Sequence, residues 1–459
     1  MTVGNGFSAR LLAGTVLAFL FAGSVHAQTL NEALSTAYNN NPTLGAQRSA
    51  LRATDEGVPQ ALSNWRPTVT LNNNSGRTNL NFQNNPAGRS DLILSPNTTT
   101  LTATQPLYRG GRTTAATKSA EANVQAGRAT LANTEQTVLL QVVTAYMDVL
   151  RDTAVLSLNR NNEQVLGKQL DASRDRFRVG EITRTDVSQA ESRLARARSD
   201  RQQAEGNLTS SRATFQRIVG DMPATLQPPP KLNSLPANEE AATAIALEEN
   251  PQVIAALFTE EASRYDIRAA SGALLPTVNL SGVYTRTWDA GQTPNLRLDQ
   301  AQALLGISIP LYEAGNTYSQ VRQRRQINSQ RMVQVEETRR LIRQNVVQAW
   351  ENLTTARAVI VARKAQVSSS TVALDGVTQE AQVGSRTTLD VLDAEQELLD
   401  ASVALVRAER DEFVASYTLH AATGRLTARS LGLPVQLYDP LENYSRVREK
   451  WFGTDGGLD

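Results

Sequence analysis

Near the end of the chain, one guanidinium and two carboxylates stand close together: Arg386, Asp390 and Asp393, in the stretch VGSRTTLDVLDAE at 383–395. A near copy, VGEITRTDVSQAE, occupies 179–191, 204 residues earlier. The first copy sets Asp186 in register with Asp390, but has Ile182 and Gln189 where the second has Arg386 and Asp393. The chemistry open to these residues is electrostatic: ion pairing, attraction of cations and repulsion between like charges. The rest of the composition offers little for bond-making chemistry. There is no cysteine and there are only two histidines, one of them at position 26 in the leader-like start. Thiolate and histidine metal centres are therefore not expected, and neither are a catalytic residue, a cofactor or a metal. A formal net charge of +1 gives no electrostatic footprint for nucleic acid.

What the two copies share has a structural reading. Gly180 and Gly384 can take the positive φ that ends a helix. Thr183-x-x-Asp186 and Thr387-x-x-Asp390 then restart one, with an acid in the first turn where it suits the helix dipole. Capping accounts for Asp186 and Asp390 but not for Arg386 and Asp393, because the first copy caps without them. The difference between the copies is assigned to function.

The elements that must position these turns are repeated too. NNNPTL at 39–44 matches EENPQV at 248–253, RPTVTL at 66–71 matches LPTVNL at 275–280, and QPLYRGG at 105–111 matches IPLYEAG at 309–315. The chain divides into a leader at 1–27, a first repeat at 28–220, a Pro-rich linker at 221–238, a second repeat at 239–424 and a C-terminal segment at 425–459. Arg10, the apolar run LLAGTVLAFLFAG and Val25-His26-Ala27 predict a secretory signal peptide cleaved before Gln28. No later apolar run is long enough for a spanning helix, so any contact with a further membrane must be made by strands.

Each repeat reads as helix, β-hairpin, long helix, turn, helix. In the first, a helix is expected over 30–62 with Thr29-x-x-Glu32 as a capping box, and a strand from Pro67. A polar loop is expected over NNNSGRTNLNFQNNPAGRS, then a second strand ending at Pro106-Leu107-Tyr108. Residues 111–178 contain no proline and predict one very long helix, about 100 Å at 1.5 Å per residue, with the stripe Leu139, Val143, Tyr146, Leu150. The strands alternate apolar with small polar residues, as in Leu305, Ile307, Ile309 and Leu311 against Gly306 and Ser308. That is the pattern of an outer-membrane strand, with Trp65, Tyr108 and Tyr312 at one end and Tyr284 and Trp288 toward the other as candidate aromatic girdles. Two hairpins supply only four strands, fewer than a membrane barrel needs. Several copies must then share one barrel, and a trimer gives twelve strands above about twelve helical columns.

With these features the mature chain resembles the TolC-like outer-membrane ducts of bacterial efflux pumps and type I secretion systems. The resemblance rests on the tandem repeat, the element order, the paired PLY…G segments and the paired VG…T..DV turns. It implies a mainly α homotrimer: a twelve-stranded transmembrane β-barrel continuous with a twelve-helix tunnel, set in outer-membrane lipid and reaching through the periplasm. It implies an exit duct for drugs or secreted protein, joined to a periplasmic adaptor and an inner-membrane transporter. By resemblance, Asp390 and Asp393 ring a constriction, Arg386 ties the inner hairpin to its neighbour, and Thr185 and Asp186 are the partners. The turns at Val179, Gly180, Val383 and Gly384 meet the adaptor. Where the family's closing network often has a tyrosine, this chain has Ala381. Like charges 4 Å apart repel by about 4 kcal/mol at an effective dielectric of 20, so such a ring is expected to raise some Asp pKa values and favour cations. A structural or adhesive trimeric coiled-coil surface protein is the alternative. That class shows one long heptad stalk with a separate head, not duplicated hairpins set between helices.

Overall fold

The structure is a computed structural model and describes residues 28–82, 90–232, 235–289 and 294–455. The signal peptide expected at 1–27 lies outside the described residues, as does part of the expected polar loop.

The first helical region is three helices rather than one: α1 (Leu30–Asn40), α2 (Pro42–Asp55) and α3 (Gly57–Leu62). The break at Asn41-Pro42 has a clear cause. Proline is tolerated at the first helical position, and the Asn41 side chain caps α2 by accepting from Thr43 N at 2.9 Å. Its amide also donates to the Ile218 carbonyl at 2.9 Å. The same device recurs at Asn250-Pro251, where Asn250 caps the following helix and donates to the Ala422 carbonyl at 2.9 Å. One buried asparagine thus serves the start of one helix and the end of another in both halves of the chain.

Strands β1 (Thr68–Ser75), β2 (Thr78–Phe82), β3 (Ser90–Leu94) and β4 (Asn97–Arg109) follow. The expected loop is therefore partly strand: β1 runs on to Ser75, and β2 and β3 form a second antiparallel hairpin. The Asn-rich extension holds because its side chains bond across the ladder, Asn73 to Thr99 Oγ1 at 3.1 Å and Asn97 to Ser75 Oγ at 2.9 Å. Next come α4 (Arg112–Arg178, 67 residues) and α5 (Arg184–Val219). The second half repeats the order: α6 (Glu239–Glu249), α7 (Pro251–Ser271), β5 (Thr277–Trp288), β6 (Arg297–Ser308), α8 (Asn316–Gln382, also 67 residues) and α9 (Thr388–Ala422). A last helix, α10 (Pro440–Val447), lies in the C-terminal segment.

The long helices each fold back on a partner, α4 with α5 and α8 with α9, while α2 and α7 pack on the half of α4 nearer the sheet. Leu139, Val143 and Tyr146 of the expected stripe are fully buried, against Leu34, Leu44 and Phe215. The Tyr146 hydroxyl lies 2.8 Å from the Gln28 carbonyl and 2.7 Å from that of Gln227, fastening the linker to the start of the first repeat. Burial raises its pKa to about 12.

The sheet is antiparallel in the order β1-β4-β5-β6, so β1 and β6 are its edges. The register sorts its side chains by face. One face carries Val69, Leu71, Leu101, Ala103, Val278, Leu280, Tyr284, Leu305 and Ile307, with Arg286 and Asp299 beyond them, and the other Thr68, Thr70, Thr98, Thr100, Thr102, Thr104, Asn279, Ser281 and Thr285, with Val283, Leu298 and Leu304 among them. The apolar face is bare: Val69, Leu71 and Leu305 are each more than half exposed. Where sheet meets helices, two glycines pack backbone to backbone. A Cβ on Gly110 would lie 2.1 Å from the Gly272 carbonyl oxygen, at a φ of +63° that already disfavours a side chain.

Candidate functional site at the hairpin tips

Both helical hairpins end far from the sheet, about 100 Å away by helix rise. At each tip the chain leaves the long helix through a valine and a left-handed glycine, Gly180 at φ 82° and Gly384 at φ 80°. The turns close alike: Glu181 N donates to the Arg176 carbonyl at 2.9 Å, and Ser385 N to the Glu380 carbonyl at 3.0 Å. Val179 and Val383 are 72% and 81% exposed, large apolar side chains turned to solvent at the very ends of the molecule.

The next helices start on complete capping boxes. Thr183 N donates to Asp186 Oδ2 at 2.9 Å and Thr387 N to Asp390 Oδ2 at 2.9 Å, with the reciprocal bonds from Asp186 N and Asp390 N also formed. The capping reading of Asp186 and Asp390 is thus realised in both halves. It has an electrostatic consequence: the Thr387 backbone and hydroxyl bonds, with Arg386 nearby, hold the Asp390 carboxyl below its usual range. The crowding expected to raise aspartate pKa values belongs to a three-fold ring, and a single copy does not supply its like charges.

Arg386 and Asp393 turn to different partners. Arg386 Nε donates to Glu380 Oε2 at 2.8 Å, across its own turn, and this pair raises the pKa of the guanidinium. Asp393 accepts from Arg193 Nη2 at 2.5 Å, a contact between α9 and α5 that joins the two tips. Beside it Leu392, 2% exposed, belongs to a small core with Ala190, Leu194 and Ala197 of α5 and Leu166 and Leu170 of α4. Thr185 is exposed on the first turn of α5, and Ala381 sits in the last turn of α8, where its carbonyl accepts from Gly384 N.

The structure therefore brings Asp390, Arg386, Val383 and Gly384 together on one tip and Thr185, Asp186, Val179 and Gly180 on the other. Asp393 is bridged between them by a residue that sequence reasoning missed. Arg193 carried no signal: in the repeat register its counterpart is Glu397, so nothing in either copy marks it. Burial pushes Glu395, the counterpart of Glu191 in the repeat register, above the usual glutamate range. Among the described residues no group of carboxylates, histidines or cysteines is arranged to hold a metal, and no helix is long and apolar enough to cross a membrane.

Comparison with known proteins gives this geometry a context. The profile of the outer membrane efflux protein family matches residues 33–221 and 243–425. The outer membrane efflux protein BepC of Brucella suis biovar 1 (strain 1330) is 38% identical over 446 residues, covering 97% of this chain and 95% of that protein. The outer membrane protein TolC of Escherichia coli (strain K12) is 26% identical over 426 residues, covering 90% and 85%. Among solved structures, the Campylobacter jejuni CmeC outer membrane channel superposes with a TM-score of 0.77 at 15% identity, covering 92% of this chain and 89% of that chain.

Proposed function

The chain belongs to the outer membrane efflux protein family, and from that premise we propose that three copies assemble into an exit duct whose mouth is gated at the hairpin tips. Membership places it as a non-catalytic channel of the outer membrane that spans the periplasm.

One observation carries the trimer: the sheet is open. Its edges β1 and β6 present unpaired backbone groups beside a bare apolar face. In lipid each unpaired group costs several kcal/mol, so a spanning sheet must close. Joining β6 of one copy to β1 of the next, three times, gives twelve strands with the apolar face outward and the threonine face lining the bore. Beneath it, the repeats 28–220 and 239–424 of each copy supply the helical columns of a tunnel about 100 Å long, bridged by the linker at 221–238 and flanked by 425–459.

At the far end, the second tips converge on the axis. Asp390 and Asp393 of three copies then put six carboxylates around one constriction, which favours cations and resists closing by charge alone. Closure is held by Arg386 reaching Thr185 and Asp186 of the adjacent copy, in exchange for its own Glu380. Within each chain the Arg193–Asp393 pair and Leu392 hold the two tips together. Val179, Gly180, Val383 and Gly384 form the docking turns for a periplasmic adaptor, which with an inner-membrane transporter favours the open arrangement.

The test is single-channel conductance of the detergent-purified protein in a planar bilayer, before and after Asp390→Ala with Asp393→Ala. A small cation-selective current that grows and loses selectivity is expected. An unchanged channel places the gate elsewhere, and no channel at all overturns the duct.

A further inference from the structure

The end of the described chain turns back to the foot of the sheet. After α10, Lys450 N donates to the Val447 carbonyl at 3.0 Å, and Lys450 Nζ reaches Asp455 Oδ1 at 2.7 Å across Gly453 at φ 102°. This closes a small loop whose exposed tip is Trp451 and Phe452, 56% and 85% accessible, with ring centroids 6.4 Å apart.

The loop is firmly held in place. Arg66 Nη1 donates to the Lys450 carbonyl at 2.7 Å, and the same guanidinium lies 4.8 Å from the Trp451 ring centroid. Arg448 reaches Glu121 of α4 at 3.2 Å, and Asn443 donates to the fully buried Asp55 at 2.8 Å. So much fastening serves to display two large rings in solvent. Taking a large aromatic side chain out of water is favourable, so leaving both bare forfeits that gain unless something covers them.

Their height says what covers them. Arg66 stands two residues before Thr68, which pairs with Thr104, then Ser281, then Leu304. The loop is therefore fastened beside the start of β1, at the end of the sheet where Leu280 and Leu305 form one of the last rungs of the bare apolar face. Trp65, Tyr108 and Tyr312, at 37%, 42% and 84% exposure, stand at the same end of the sheet. Aromatic side chains flanked by a cation, at the edge of an apolar band, match the chemistry of a phospholipid headgroup layer. The indole N–H can bond ester and phosphate oxygens, and the Arg66 guanidinium complements phosphate charge.

We propose that Trp451 and Phe452 form an anchor that inserts into the headgroup layer on the periplasmic side of the outer membrane, fixing the depth at which the sheet sits. The inference rests on the bilayer placement of the sheet proposed above. It assigns a role to the C-terminal segment, which has no counterpart in the first repeat.

The chain lacks cysteine, so Phe452→Cys, Leu71→Cys and Val179→Cys each create one labelling site at an exposed position. The full chain, labelled with an environment-sensitive nitrobenzoxadiazole, is reconstituted in vesicles of phosphatidylethanolamine and phosphatidylglycerol. Quenching by lipid carrying a headgroup-level spin label is compared with quenching by aqueous iodide. Position 452 should lose most of its emission to the spin-labelled lipid and little to iodide. Position 71 should respond to lipid, and position 179 to iodide alone. If 71 senses lipid but 452 follows 179, the anchor is wrong. If 452 is shielded from both quenchers, a second copy of the chain covers it and the anchor is again wrong. If 71 also follows 179, the bilayer placement of the sheet fails and the anchor falls with it. Adding Trp451→Ser to the Phe452→Cys protein should shift the label toward iodide.

Discussion

Removing the Arg193 guanidinium should open the duct. Arg193 and Asp393 meet at 2.5 Å with side chains 28% and 57% exposed, so the pair is only partly desolvated and is worth about 0.2–1 kcal/mol per chain. In the proposed trimer, three copies give about 0.6–3 kcal/mol in favour of the tied tips, and losing it raises the open-to-closed ratio by roughly 3-fold to 150-fold. Arg193→Ala also leaves Asp393 unpaired beside Asp390, adding repulsion in the same direction. Asp393→Ala removes the tie and the repulsion together, so it should open the channel less than Arg193→Ala. Arg193→Lys keeps the charge and should stay near the parent. The assay is open probability in a planar bilayer at about 0.15 M and about 1 M salt, where screening lengths are about 8 Å and about 3 Å. The gap between parent and Arg193→Ala should shrink at the higher salt, because the pair is already screened there. Equal open probability of the two proteins at low salt, or a gap indifferent to salt, would refute the reasoning.

Other outcomes follow from single contacts. Leu392→Ala empties a buried site between the two tips, at a cost of about 2–5 kcal/mol, and should appear as faster amide exchange in both tips and not near the sheet. Tyr146→Phe removes the one hydroxyl proton that lies between the Gln28 and Gln227 carbonyls, while Gln28 keeps its bond from Gln227 N; the loss of about 0.5–1.5 kcal/mol should make the linker more sensitive to protease. Gly110→Ala drives a methyl against the Gly272 carbonyl and should sharply reduce the yield of folded protein in the outer membrane. The Asp390 pKa is depressed from its ordinary 3.8, so its contribution to the start of α9 is complete above that value and lost as pH falls through the lower folded pKa. Amide exchange at the second tip should therefore accelerate on acidification over that window, and Asp390→Asn should abolish the dependence.

Much of the architecture is local, and local signals are legible in sequence. The tandem repeat, the expected helix over 111–178, realised as Arg112–Arg178, and the two glycine-ended turns each depend on residues a few positions apart. The capping boxes at Thr183 and Thr387 were readable for the same reason. The strand alternation was readable as well: the register puts most of the aliphatics on one face and the threonines on the other, with Val283 and Leu304 as exceptions. The break in the first helix could have been read too, since Asn41-Pro42 is a cap followed by a permitted proline. The longer Asn-rich strand was harder, because its cross-strand partners set its conformation.

The sequence by itself determined the order of elements, the length of the tunnel-like hairpins and the placement of charge at their tips. Only the tertiary structure decided which charges meet. Arg193 and Asp393 are 200 residues apart, and their contact depends on how two long hairpins are rotated about their axes. The same holds for Arg66 beneath Trp451, 385 positions apart in the chain, and for Asn41 reaching the Ile218 carbonyl. Periodicity reports which face of an element is apolar. It does not report which residue of a distant element stands opposite, because that is set by packing summed over the whole length of both.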